Sequence, residues 1–127
     1  MATYVLAVNT TGGAGVSAGN TQTAFEVRGW IDSIYYDFHA SAPGATTDTV
    51  VSEVGGANQT IQTLTNTATD VIKYPVRQNH DNAGSAVAGS YDRFYVNGKL
   101  KVAVAQCNDL TPAVTVTITV IEDENSV

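Results

Sequence analysis

Seven residues near the C-terminus restrict the fold class more than any other feature. Val114, Val116, Ile118 and Val120 alternate with Thr115, Thr117 and Thr119. A period of two places the four aliphatic side chains on one face and the three threonines on the other, a pattern that no helical face produces. The segment is therefore a half-buried strand with a threonine face outward. Pro112 precedes it at a strand entrance, where its missing N–H costs no ladder bond. The same alternation appears in Leu100, Val102 and Val104 against Lys99, Lys101 and Ala103, and more briefly in Tyr4, Leu6 and Val8. Between Phe94-Tyr95-Val96 and the strand starting at Lys99 lies Asn97-Gly98. This pair tolerates positive φ at both positions and predicts a two-residue type I′ hairpin.

The longest strand candidate runs from Ala24 to His39. Trp30, Ile34, Tyr36 and Phe38 share one parity, and Ile31 and Tyr35 share the other. Phe25 and Val27 have the wrong parity to join Trp30, so a bulge at Gly29 is expected to restore one apolar face. Apolar residues on both parities predict a central strand or one covered by a neighbouring subunit. Pro43-Gly44 marks a turn within 40–46, and further strands are expected at Thr47–Val54, Gln59–Leu64 and Val71–Val76. Gln78–Ser90 reads as a long polar loop, and Thr10–Asn20 as a flexible or extended Gly/Thr-rich arm. About eight strands follow, with turn signals every 8–12 residues or so and no helix. The 17 threonines and 11 glycines agree with such a strand-and-turn chain. The expected fold is all-β, an antiparallel β-sandwich, jelly-roll-like or Greek-key. Residues 1–22 supply a strand and the arm, and 23–127 the sandwich domain. Trp30 would suit an immunoglobulin-type core, but the paired cysteines of that fold are missing.

Charge and cysteine usage narrow the function classes. Twelve acidic residues against six basic ones give a net charge of −6. The basic residues Arg28, Lys73, Arg77, Arg93, Lys99 and Lys101 are scattered, which argues against nucleic-acid binding. On an exposed shell, the same charge would keep particles soluble and mutually repelling. A single cysteine, Cys107, provides neither an internal disulfide nor a cysteine-rich zinc site, and is expected to be a buried inert thiol. No apolar run is long enough to span a membrane, and Met1–Val8 lacks the pattern of a secretory signal. Synthesis in a reducing cytoplasm is the expectation.

No motif carries catalysis. Asp37 and His39 share a strand face, and His80 adjoins Asp81, but neither pair has the third and fourth ligands a metal requires. Asn79-His80-Asp81-Asn82 lacks the carboxylate spacing of a calcium loop. Gly84-Ser85 and Gly89-Ser90 are not a nucleophile elbow. The expectation is no catalytic, cofactor or metal site. The aromatic residues are the candidate interface: Trp30, Tyr35, Tyr36 and Phe38 in one segment, Tyr91 and Tyr95 in another. Aromatics anchor protein interfaces, and exposed rings also stack on sugars.

Three stretches carry a resemblance. They are Trp30-Ile31-Asp32-Ser33-Ile34-Tyr35-Tyr36-Asp37-Phe38-His39 leading into Ser41-Ala42-Pro43, Ile72-Lys73-Tyr74-Pro75-Val76-Arg77-Gln78-Asn79-His80-Asp81, and Tyr91-Asp92-Arg93-Phe94-Tyr95-Val96-Asn97-Gly98-Lys99-Leu100-Lys101-Val102. Over residues 25–121 the chain resembles small virion proteins of tailed bacteriophages from the neighbourhood of head and capsid genes. That resemblance implies a capsid decoration (cement) protein. It would be a β-rich homo-oligomer, often a trimer, placed on the capsid surface with the major capsid protein as partner. A tail- or fibre-associated virion protein and a carbohydrate-binding β-sandwich are the competing expectations.

Overall fold

The computed structural model describes residues 1–40 and 43–122. Ten strands account for most of it: β1 Ala2–Val8, β2 Ser17–Gln22, β3 Val27–Phe38, β4 Asp48–Val54, β5 Thr60–Leu64, β6 Val71–Lys73, β7 Val76–His80, β8 Ala86–Arg93, β9 Tyr95–Cys107 and β10 Val114–Glu122. All pairings are antiparallel. Ser41 and Ala42 of the expected turn lie outside the described residues.

Eight strands wind into two layers. The first has the order β1-β10-β3-β6. The second has the order β2-β9-β4-β5. The chain crosses between layers at nearly every connection, so sequence neighbours face each other across the core instead of pairing. This winding is a jelly-roll β-sandwich. The layers also join along one corner, where Val27–Trp30 of β3 pair with Tyr95–Gly98 of β9.

The core follows from the alternation. Val114, Val116, Ile118 and Val120 are all fully buried, while Thr115, Thr117 and Thr119 face outward. They meet Leu6 and Val8 of β1 and Val27, Ile31, Ile34 and Tyr36 of β3, with Val51, Leu100, Val102 and Val104 from the opposite layer. Burying each of these side chains contributes roughly 1.5–3 kcal/mol. Cys107 is buried and free, close to Thr10 Oγ1.

Four expectations change. First, Asn97-Gly98 is not a hairpin. Both residues lie inside β9 and pair with Arg28 and Val27. A glycine is needed at 98 for proximity: an added Cβ would lie 2.7 Å from the Val54 carbonyl oxygen. Second, the bulge of β3 is at Asp32, not Gly29. Ile31 pairs with Val120 and Ser33 with Thr119, leaving Asp32 unopposed. The parity change turns Trp30 outward with Tyr35, and puts Val27, Ile31, Ile34, Tyr36 and Phe38 inward. Third, Val71–Val76 is two strands, broken at Tyr74-Pro75, and the expected loop 78–90 is most of a β-hairpin formed by β7 and β8. Asp81 caps its tip, accepting from the N–H groups of Ala83 at 2.9 Å and Ser85 at 3.0 Å. Fourth, the Gly/Thr-rich segment is fastened into the fold. Thr11 and Ala18 exchange two backbone hydrogen bonds, Thr10 Oγ1 donates to the Asn108 carbonyl at 2.6 Å, and β2 pairs with β9.

Candidate interaction surface

The outward face of the first layer is built by the register of four strands. Val5 lies opposite Thr117, Thr117 opposite Tyr35, and Tyr35 opposite Ile72. One row across the sheet therefore reads Val5–Thr117–Tyr35–Ile72. Val5 is 62% exposed, Tyr35 40% and Ile72 47%. Opposed side chains on one face stand about 4.5–5.5 Å apart at their Cβ atoms, so the row is a continuous, half-apolar band. Exposed aliphatic residues scattered singly have no particular meaning, whereas a band of this kind is a candidate contact surface.

A second aromatic cluster occupies the other end of β3. Trp30 lies opposite Tyr95 of β9 and opposite Ile121 of β10. The Trp30 and Tyr95 rings meet edge to face, centroids 5.0 Å apart at 68°. This geometry sets the positive ring edge against the negative ring face. The side-chain amide of Gln59 donates to the Tyr95 carbonyl at 2.7 Å, which ties this corner to the 55–59 turn.

The six aromatic residues of the candidate interface thus divide. Trp30, Tyr35, Tyr91 and Tyr95 are exposed, Tyr91 on the β7–β8 hairpin. Tyr36 and Phe38 are instead core residues, with rings stacked 6.4 Å apart. The Asp32 bulge causes this division by switching which parity of β3 faces solvent. Val5, Ile72 and Val76, which sequence reasoning did not single out as site residues, are exposed apolar residues beside the exposed aromatics. Only the strand register brings them beside the aromatics, so no local motif announces them.

The electrostatics of the surface are uneven. Burial, then the Asp70 and Asp37 carboxylates, hold the Tyr35 hydroxyl above its usual pKa. Asp70 Oδ1 also accepts the Phe38 N–H at 2.8 Å. At the β1 edge, burial and Glu122 raise the Tyr4 hydroxyl, which donates to Glu122 at 3.4 Å. Arg93 at the hairpin base forms an ion pair with Asp32 at 3.4 Å.

Two surface hollows flank this face. One, of about 460 Å³, runs along β1 and the β2–β3 connection between Tyr4, Thr23 and the outward Phe25. The other, of about 250 Å³, lies at the hairpin base between Tyr74, Val76, Tyr91 and the Asp32–Arg93 pair. Neither is lined by His39 or His80. His80 Nδ1 lies 3.0 Å from the Gln78 carbonyl oxygen, and the His39 N–H donates to Ala113 at 2.9 Å. Among the described residues, no three His, Cys, Asp or Glu side chains gather as metal ligands do.

Glu53 is a buried residue that sequence reasoning passed over. Only 3% exposed, its carboxylate accepts from the backbone N–H groups of Asn97 and Ala57 and from the Gln59 amide. It fixes the 55–58 turn against β9 and so holds the Trp30–Tyr95 corner. Its position was readable, because it shares inward parity with Thr49 and Val51.

Together, the layer order and the broad outward sheet face define a jelly-roll-like β-sandwich with a candidate contact surface. Comparisons with protein-family models, curated proteins and solved structures return no match to this chain.

Proposed function

We propose that this protein is a virion structural component that decorates a bacteriophage capsid and stabilises it by bridging neighbouring capsid subunits. The observation that carries the reading is the exposed Val5–Thr117–Tyr35–Ile72 band across four strands of an outward sheet face. A broad, half-apolar sheet surface suits a macromolecular partner, whereas small ligands are held in concave sites. The family resemblance over residues 25–121 points the same way, and supplies the major capsid protein as partner and the capsid surface as location. In this role the protein acts as a homo-oligomer, with a trimer favoured. It binds the assembled shell and not its dissociated subunits, so each contact adds to shell stability by mass action. No step of this role requires a cofactor, nucleic acid or membrane, and the protein is not an enzyme in this reading.

The test is co-sedimentation of the purified protein with expanded and unexpanded shells of the source phage. The expected result is saturable binding to expanded shells, with the coated shells surviving heating that opens bare ones. Binding to purified tails alone would move the protein to the tail- or fibre-associated class. A second reading, carbohydrate binding, is favoured by the hollow at the hairpin base. Its lining includes Tyr74, Tyr91, Asp32 and Arg93, which have the chemistry that stacks and hydrogen-bonds a sugar ring. Glycan-array binding without shell binding would establish it and sink the decoration reading.

A further inference from the structure

The β7–β8 hairpin does not pack like the rest of the molecule. None of its strand residues is buried, and most are exposed. A two-stranded hairpin is marginal in water unless it packs against something. This one nevertheless carries three exposed apolar residues, Val76 at 54%, Val87 at 41% and Tyr91 at 59%.

Register sorts its side chains. Val76 lies opposite Arg93 and Gln78 opposite Tyr91, so these four share one face of the ribbon; Arg77 and Asp92 occupy the other. The first face is amphipathic: two apolar side chains, an amide and a guanidinium. Arg93 is half exposed and, among the described residues, meets one carboxylate, Asp32, which leaves most of its five donors to other partners. The band Val5–Tyr35–Ile72 is the matching surface. It is half-apolar, Tyr35 within it is flanked by Asp37 and Asp70, and the outward Arg28 stands seven positions away along β3.

Charge points to the occupant. The hairpin, residues 76–93, holds Arg77 and Arg93 against Asp81 and Asp92, a net of 0, so the rest of the chain carries the whole −6. On the Val76–Tyr91 face of the ribbon the one charge is Arg93. Two acidic bodies repel each other, whereas this face of one copy can meet the Asp37 and Asp70 side of another without repulsion. Area agrees. Strands about 4.8 Å apart, taken over some six residues of about 3.3 Å in three of them and over the three residues of β6, offer on the order of 300 Å². A stable interface takes about 800 Å² per partner, so the sheet face needs the hairpin's surface as well.

We infer that the β7–β8 hairpin docks onto the outward face of β1, β10, β3 and β6 in a second copy of this chain, setting Val76 and Tyr91 on the Val5–Tyr35–Ile72 band and Arg93 beside Asp37 and Asp70. This deepens the decoration reading by naming the contact that joins its copies, and it rests on that reading only for its purpose. The contact gives each copy a donor (the hairpin) and an acceptor (the sheet face).

That asymmetry makes the test. Tyr91→Glu spoils the donor and leaves the face intact. Ile72→Glu spoils the face and leaves the donor intact. Both positions are exposed, and circular dichroism verifies that each variant folds. Sedimentation equilibrium at about 100 μM reads the masses. The wild type is expected as a multiple of the 13.3 kDa chain, each variant alone as a monomer, and their equimolar mixture as a two-chain species. A monomeric wild type, a Tyr91→Glu variant of wild-type mass, or a mixture that stays monomeric would each overturn the inference. None of these measurements uses a shell, so their failure leaves shell binding to be decided by co-sedimentation.

Discussion

Tyr36 is buried completely, and its hydroxyl has no hydrogen-bond partner among the described residues. An orphaned buried hydroxyl loses its water contacts and gains nothing in return, at a cost of about 1–3 kcal/mol. Tyr36→Phe keeps the ring stacked on Phe38 and removes that cost, so the variant is expected to be more stable by ~1 kcal/mol in urea unfolding at pH 7. The alkaline limb carries a second signature. Burial raises the Tyr36 pKa well above the ordinary tyrosine value, so at high pH the folded chain keeps a proton that the unfolded chain loses. Its contribution is complete below about pH 10 and is lost as pH rises beyond that, with a slope of up to ~1.4 kcal/mol per pH unit. Tyr36→Phe should flatten the fall in stability above pH 10 without abolishing it, because the Tyr4 and Tyr35 hydroxyls are raised as well. An unchanged alkaline slope would contradict this account. Glu53 is the opposite case, a buried polar group fully used. Glu53→Ala strips the partner from two backbone N–H groups and one amide, and is expected to cost on the order of 2–4 kcal/mol. The 55–58 amides should lose hydrogen-exchange protection first.

The strands differ in how plainly the sequence announces them, and the reason is what each one buries. β10 is legible from Val114 to Val120 because one face is core and the other is solvent, so chemistry alternates with geometry. β2 reads Ser-Ala-Gly-Asn-Thr-Gln and lies at a layer edge with only Ser17 buried, which leaves no apolar period to find. The β7–β8 hairpin is hidden for the same reason, since it has no core face at all. Asn97-Gly98 misleads differently. Asn-Gly favours a tight turn by local preference, but glycine is also required wherever backbones crowd, and at Gly98 the crowding decides. Substitutions separate the two meanings. In a type I′ turn, a β-branched residue at position 97 would be strongly disfavoured, whereas in a strand it is well tolerated. Asn97→Val is therefore expected to change stability by no more than ~0.5 kcal/mol. Gly98→Ala should cost ~1–3 kcal/mol, because its Cβ would meet the backbone of Val54 and Gly56, which cannot yield as a flexible side chain does. Thermal unfolding of the two variants measures both. The candidate surface was half legible: aromatic crowding identified Trp30, Tyr35, Tyr91 and Tyr95, but the bulge that sends Tyr36 and Phe38 inward arises from pairing with β10 and has no local signal.

For the molecule as a whole, the winding makes nearly every part of the sandwich depend on distant sequence. β1 pairs with β10 from Ala2 with Val120 to Val8 with Val114, so the first strand waits for the last. Removing residues 1–8 would strip Leu6 and Val8 from the core and bare the edge of β10, and should leave a chain that does not fold cooperatively. The hairpin is the exception, since it adds no side chain to the core cluster. Replacing Gln78–Tyr91 with Asn-Gly shortens it to its base and should leave the sandwich's own stability nearly unchanged. What that variant loses is the link between stability and concentration. When copies bind one another only in the folded state, dilution lowers the melting temperature, by roughly 2–3 °C per tenfold for a pairwise contact in a chain of this size. Calorimetry from about 5 to 500 μM should therefore give a rising melting temperature for the wild type and a constant one for the shortened chain. If the two curves rose in parallel, the copies would be meeting through some other surface, and the hairpin would be an ornament of the fold instead of its connector.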